Sequence, residues 1–113
     1  MNQRKVRRYS LFIEAKLESK GNRINGVAVN LSARGVGICC LTPIQIGSDA
    51  VITLYFHDKR EGLLSESVQG TIKWTQTFGT LNAAGIEFSR ELNEEDHFLI
   101  LSHIEILKEF ENQ

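Results

Sequence analysis

Two short stretches of the sequence carry side chains whose types and spacing suit the binding of an anion. In the N-terminal run RKVRR, Arg4 and Arg8 stand four residues apart. In the later stretch NLSARG, Asn30, Ser32 and Gly35 fall between two apolar runs. Guanidinium groups bind phosphate oxygens and guanine edges through paired hydrogen bonds, and they stack on flat bases. In an extended chain Asn30 and Ser32 would point the same way, and glycine permits a positive φ or the close approach of a ligand. The combination suits a purine nucleotide with several phosphates.

Each stretch also has an ordinary structural interpretation. A basic N-terminus is commonly a solvated tail. An NxSxxG sequence is commonly a turn in which Asn and Ser cap nearby backbone amides. Taken separately, therefore, neither stretch decides between a binding site and a simple turn.

Enzymatic and metal-binding interpretations find little support in the sequence. His57, His97 and His103 lack metal-ligand spacing, and the last two are six residues apart, so they do not share a helix face. Ser32 has no base evident in the sequence, and no Walker-type phosphate loop occurs. The run Glu94–Asp96 is better explained as charges at the start of a helix than as an acid–base pair. We therefore expect no catalysis, no metal and no cofactor.

The charges are unevenly distributed along the 113 residues. The net charge is −1, yet the first eight residues hold four basic and no acidic side chains. The remainder carries nine basic and 14 acidic side chains, which disfavours a globally basic nucleic-acid binder. A local cationic arm directed at a small anion is favoured instead.

Composition and length predict one globular domain, with 42% hydrophobic and 24% charged residues. No apolar run approaches the ~20 residues needed to span a bilayer, and no apolar segment of a secretory signal follows the basic start. Cys39 and Cys40 are adjacent in a predicted strand and point to opposite faces, so they are expected to be unpaired, buried residues of a protein in the reducing cytoplasm.

Alternating apolar residues predict a series of short strands. In YSLFIEAKLE, one face carries Tyr9, Leu11, Ile13, Ala15 and Leu17. A turn-rich break is expected at 20–26, and further strands at GVGICCL, AVITLYF, SVQGTIKW and AAGIEF, the second of them followed by a charged loop, HDKREG. Such spacing is typical of a small antiparallel barrel or sandwich.

The C-terminal segment changes to a helical period. Asn93 is predicted as the N-cap, with Glu94, Glu95 and Asp96 in the first turn. The apolar face predicted for the helix consists of Leu99, Ile100, Ile104, Leu107 and Phe110. This helix is expected to dock on the barrel or to cover one of its ends.

Taken in order, the two polar stretches resemble the signature of the PilZ domain family. That signature is RxxxR, then a strand, then (D/N)xSxxG, and it is matched here by Arg4, Arg8, Asn30, Ser32 and Gly35. The segments VQGTIKW, AAGIEF and LNEEDHFLILSHI also resemble the family's late strands and helix start. The resemblance covers nearly the whole chain.

The resemblance implies a mainly β fold, a six-stranded antiparallel β-barrel with a C-terminal α-helix. We expect a single domain over 1–113, with a mobile basic arm at 1–8, the barrel at 9–90 and the helix at 93–111. It further implies a bacterial cytoplasmic receptor that binds cyclic di-GMP non-covalently and signals in trans to a protein partner. Arg4 and Arg8 would clamp phosphates and guanine, while Asn30, Ser32 and Gly35 would line the barrel surface against guanine and ribose-phosphate.

Three further residues are candidates for the same site. Arg7 and Arg34 would contact phosphate or remain as solvated side chains. Trp74 resembles an aromatic residue that lies near the nucleotide in some PilZ proteins, and its alternative role is partial burial in a strand.

Two other functions remain open at the level of sequence. One is a PilZ-like protein-interaction adaptor that does not bind nucleotide, which the intact signature argues against. The other is a small barrel that binds single-stranded nucleic acid, which would require a basic face studded with aromatic residues. The acidic balance outside the arm argues against that second function, and neither DNA or RNA binding nor membrane insertion is expected.

Overall fold

The computed structural model of the protein describes residues 9–111, in which six antiparallel strands close into a barrel. The strands are β1 (Tyr9–Ser19), β2 (Asn22–Leu31), β3 (Gly35–Cys40), β4 (Asp49–Asp58), β5 (Gly62–Phe78) and β6 (Leu81–Phe88). They are joined side by side in the order β1-β2-β3-β6-β5-β4, and helix α1 (Phe98–Glu111) follows them. The predicted fold class, a barrel with a C-terminal helix, is confirmed.

The core lies inside the barrel and is filled by alternate residues of the strands. On β4 the inward side chains are Ala50, Ile52, Leu54 and Phe56, all buried. β1 follows the predicted alternation, with Tyr9, Ala15 and Leu17 buried and with Leu11 and Ile13 packed against the core. Because successive side chains of a strand point to opposite faces, the residues between them form the outer surface of the barrel.

The turn between β1 and β2 is shorter than the break expected at 20–26. It consists of Lys20 and Gly21, both with positive φ (52° and 78°), which is the conformation of a two-residue hairpin turn. β2 begins at Asn22 and continues through Gly26. A Cβ atom at Gly26 would lie 2.6 Å from the carbonyl oxygen of Cys39, so this glycine permits close strand pairing and does not mark a loop.

The charged loop between β4 and β5 is also reduced to a tight turn. The Asp58 carboxylate accepts hydrogen bonds from the backbone N–H groups of Arg60 (2.8 Å) and Glu61 (2.9 Å). These bonds stabilise the charged form and lower the pKa of Asp58.

β5 extends well past its partner β4. Pairing with β4 ends at Asp49 opposite Thr71, and the loop residues Gly47 and Ser48 then bond to the backbone of Ile72. From Lys73 to Phe78, the described residues that pair with β5 belong to β6 alone.

Helix α1 begins five residues later than the sequence predicts. Asn93 caps a separate turn, in which its Oδ1 atom accepts a hydrogen bond from the N–H of Asp96 (2.8 Å), so the acidic run lies outside the helix. The helix N-terminus is instead capped by Glu66 of β5, whose carboxylate accepts bonds from the N–H groups of Leu99 (2.7 Å) and Ile100 (2.9 Å). A carboxylate at this position satisfies two free amides and opposes the positive end of the helix dipole.

One face of α1 packs against the barrel. Ile100 and Ile104 are buried, and the His103 ring lies 4.4 Å from the Phe56 ring, centroid to centroid. Phe110, predicted on the same apolar face, is instead 68% exposed and does not belong to the core. No helix among the described residues is long and apolar enough to cross a membrane.

The two cysteines are free thiols with different environments. Cys40 faces inward and is buried, which raises the pKa of its thiol, whereas Cys39 is only partly buried. The expectation that both cysteines are buried is therefore confirmed for Cys40 and only partly met by Cys39.

Candidate functional site

The described part of the chain begins beside the turn that joins β2 and β3. Tyr9, the first described residue, is buried and pairs with Leu31, the last residue of β2. Ser32 follows Leu31 directly, so the start of β1 and the polar turn lie at the same end of the barrel. Arg4, Arg7 and Arg8 lie outside the described residues.

Ser32 is part of the framework of the turn. It is 3% exposed, and its hydroxyl oxygen accepts hydrogen bonds from the N–H groups of Arg34 (3.2 Å) and Gly35 (3.1 Å). Its own N–H donates to the carbonyl of Gly35 (2.9 Å). The expectation that Ser32 and Asn30 point the same way is wrong, because β2 ends at Leu31 and the chain turns at Ser32. The hydroxyl fixes the backbone on which its neighbours are presented.

Arg34 is held by its backbone and exposed at its side chain. Its carbonyl oxygen accepts a hydrogen bond from the N–H of Phe88 (2.8 Å) at the end of β6. The residue itself is exposed. The guanidinium is therefore free to extend over the outer surface from a fixed backbone position.

Gly35 is required for a reason other than a left-handed conformation. Gly35 is not one of the described glycines that have a positive φ. A Cβ atom at Gly35 would instead lie 2.5 Å from the carbonyl oxygen of Ile86, on the neighbouring strand β6. The glycine therefore allows β3 and β6 to approach closely at the base of the turn.

A row of four residues crosses the outer face of the barrel next to this turn. Asn30, Gly37, Gly85 and Trp74 are successive Cα partners on β2, β3, β6 and β5, and we call them the glycine row. Gly37 and Gly85 lie between inward-facing residues, so they face outward, and their lack of a side chain leaves room above them for side chains of the neighbouring strands.

Asn30 and Trp74 lie over these two glycines from opposite sides. A Cβ atom added at Gly37 would lie 2.5 Å from the Nδ2 atom of Asn30. A Cβ atom added at Gly85 would collide with the pyrrole ring of the Trp74 indole. Directly opposite residues of neighbouring strands are about 5 Å apart. The amide and the indole, which is 38% exposed, therefore lie near each other on the outer surface of the barrel.

The Asn30 side chain contains an acceptor without a partner. Its Oδ1 atom is buried and makes no hydrogen bond to any described residue. A buried acceptor left unsatisfied costs roughly 1–3 kcal/mol, so a ligand or water that donates to it would be stabilised there. The site thus offers an amide group beside an aromatic face, and the adjoining turn carries the exposed side chain of Arg34.

The structure therefore brings Asn30 and Trp74 together on the outer surface, and Arg34 lies with Ser32 and Gly35 in the adjoining turn. Sequence reasoning missed Gly37 and Gly85, whose signal is a glycine between inward apolar residues in VGI and AGI. An open cleft of about 610 Å³ lies elsewhere, lined by residues such as Lys20, Asp49 and Gly70 and by none of the predicted site residues. Among the described residues, no group of three or more His, Cys, Asp or Glu could hold a metal ion.

Comparisons with known proteins identify the family and the fold. The family model of the PilZ domain matches residues 2–105. No curated protein matches the sequence. Among solved structures, the chain is similar to the PilZ domain of YcgR from Escherichia coli with c-di-GMP, at a TM-score of 0.71 and 13% identity, over 96% of this chain and 93% of that one.

A second similar structure is the Bacillus subtilis inhibitor of motility MotI/DgrA, with a TM-score of 0.71 and 13% identity over 93% of this chain. The match covers 51% of MotI, so this chain spans about half of that protein. At such identities, both likenesses concern the fold.

Proposed function

Because the chain belongs to the PilZ domain family, we propose that it is a cytoplasmic receptor for cyclic di-GMP that signals in trans to a protein partner. The observation that carries the proposal is the pairing of Tyr9 with Leu31. It puts the start of β1, which follows Arg4 and Arg8 in the sequence, at the end of the barrel that holds the second half of the family signature.

The chemistry of each group fits one part of the nucleotide. Arg4 and Arg8 supply guanidinium groups for the two phosphates and for the acceptor edge of guanine. The unpartnered Asn30 Oδ1 fits the N–H donors of a guanine base. Trp74 offers a partly exposed aromatic face beside it, and Arg34, and also Arg7, can add charge against phosphate.

The proposed event is binding without covalent chemistry. The side chains that converge on the outer surface are hydrogen-bonding, cationic and aromatic groups, a set that recognises a ligand and does not transfer protons or acyl groups. The output is then a change of surface around the arm and the turn, which a separate protein can recognise.

Isothermal titration calorimetry with three ligands tests the proposal. Cyclic di-GMP is expected to bind saturably, and cyclic di-AMP, which has the same phosphates but lacks the guanine donors, is expected to bind far more weakly. A short single-stranded oligonucleotide should not bind. Absence of cyclic di-GMP binding would contradict the receptor and favour the adaptor function, while oligonucleotide binding would favour the nucleic-acid barrel.

A further inference from the structure

Phe12 is an aromatic residue on the outer face of the barrel that the family signature does not include. Its side chain is 80% exposed, more than any other large hydrophobic residue described. An exposed aromatic ring offers a flat apolar face on which a planar group such as a base can stack.

A β-bulge directs Phe12 outward beside the glycine row. Ser10 pairs with Asn30, and Ile13 pairs with Ala28. Between these two pairs, β1 has two residues, Leu11 and Phe12, whereas β2 has only Val29. Such bulges bend a strand and re-aim a side chain, and they are frequent beside functional sites. Here the bulge places Phe12 on the strand next to Asn30, on the side opposite Trp74.

The surroundings of Phe12 favour a flat ligand over an extended apolar partner. On β1, β2 and β3, Phe12 is the only large hydrophobic residue described as exposed. Its neighbour toward the barrel's other end on the same face, Glu14, is charged and exposed. A protein-docking patch would continue over adjoining apolar residues, whereas a single ring beside a hydrogen-bonding amide matches a heterocyclic base.

We propose that Phe12 stacks on one guanine base of the bound nucleotide, at the edge of the site opposite Trp74. This inference rests on the proposed function and adds a second aromatic surface to it. Phe12 lies on β1, the strand next to the one that carries Asn30, so a base stacked on the ring can lie beside the Asn30 amide.

Calorimetric titration of Phe12→Ala with cyclic di-GMP tests the proposal. Loss of one base–aromatic stack is expected to weaken binding roughly 5- to 100-fold. Phe12→Tyr, which keeps the flat ring, should bind within about threefold of the parent protein, and Phe12→Leu should resemble Phe12→Ala because it keeps apolar volume without a π face. The matched control is Phe110→Ala, since Phe110 is 68% exposed on α1, and parent-like affinity is expected.

The outcomes separate this inference from the function on which it rests. If the parent protein does not bind cyclic di-GMP, both fail. If the parent binds and Phe12→Ala binds equally well, the receptor function stands and the role of Phe12 is wrong. Independently of any variant, nuclear Overhauser contacts between guanine H8 and the Phe12 ring protons are expected in the parent complex, and their absence at saturation would overturn the proposal.

Discussion

The Glu66 carboxylate on β5 accepts a hydrogen bond from the backbone N–H of Leu99, with 2.7 Å between the oxygen and nitrogen atoms. The same carboxylate also accepts from Ile100. A side chain of the barrel thus caps the N-terminus of α1, in place of a residue next to the helix in the sequence.

Glu66→Ala is expected to destabilise the protein by about 1–2 kcal/mol, because it leaves two helix amides without a partner and removes the charge that opposes the dipole. Glu66→Gln, which keeps one acceptor oxygen, should lose about half as much. Chemical denaturation followed by circular dichroism measures the change. Glu14→Ala, an exposed glutamate on β1, is the control, and equal stability of the Glu14 and Glu66 variants would show that the cap contributes nothing.

Gly85→Ala is expected to displace the Trp74 ring, because the new Cβ atom would occupy the position of the indole. Trp74 is the only tryptophan, so its emission should shift to longer wavelength as the ring becomes more hydrated. Gly37→Ala is the matched control, since its Cβ atom meets the Asn30 amide and not the indole. An unchanged emission spectrum in Gly85→Ala would contradict the stacked arrangement.

Arg8→Ala is expected to weaken cyclic di-GMP binding roughly ten- to a hundred-fold, since one charge-assisted clamp is lost. The midpoint of thermal unfolding should stay nearly constant, because Arg8 precedes the strand whose buried residues form the core. Arg4→Ala should act in the same direction with a smaller effect. Calorimetry measures the affinity of these variants, and the control is Arg60→Ala, which removes an exposed arginine from the β4–β5 turn. Parent-like binding by Arg8→Ala would refute the assignment of Arg8 to the binding site.

Gly35→Val is expected to reduce both stability and binding. The added side chain would press on the Ile86 carbonyl, and strand β6 cannot retreat without breaking its pairing with β3; a cost of about 2 kcal/mol or more is expected. Ala33→Val, at an exposed position in the same turn, should change the free energy of unfolding by less than about 0.5 kcal/mol. Urea titrations of both variants measure the difference, and equal midpoints would mean that β3 and β6 tolerate the extra volume.

Raising the salt concentration is expected to weaken cyclic di-GMP binding, because part of the attraction between the arginine arm and the phosphates is ionic. Titrations at about 50 mM and 500 mM sodium chloride measure the effect. The control is the midpoint of thermal unfolding of the free protein, which is expected to be the same at both salt concentrations. An affinity that does not change with salt would indicate that the basic arm takes no part in binding.

The strands could be predicted from the sequence because their side chains alternate between the packed interior and the exposed face. This alternation is visible within a single short run, such as that from Tyr9 to Leu17. The start of α1 could not be predicted, since its cap comes from Glu66, 33 residues before Leu99. The same limit applies to the site. Its residues are readable in order along the chain, but the contact of Trp74 with Gly85 depends on strand pairing, which no local pattern encodes.

The end of β5 that extends beyond β4 has a bearing on solubility. From Lys73 to Phe78 its backbone pairs on one side, with β6, among the described residues, so its other side presents N–H and C=O groups that a strand of another molecule could use. The register shift between Ile72 and Trp74 bends this edge, and the charge of Lys73 lies at its start. Bends and lysines are two features by which sheets resist edge-to-edge aggregation, so replacing Lys73 with an uncharged residue is expected to make this edge more prone to pair with a second molecule.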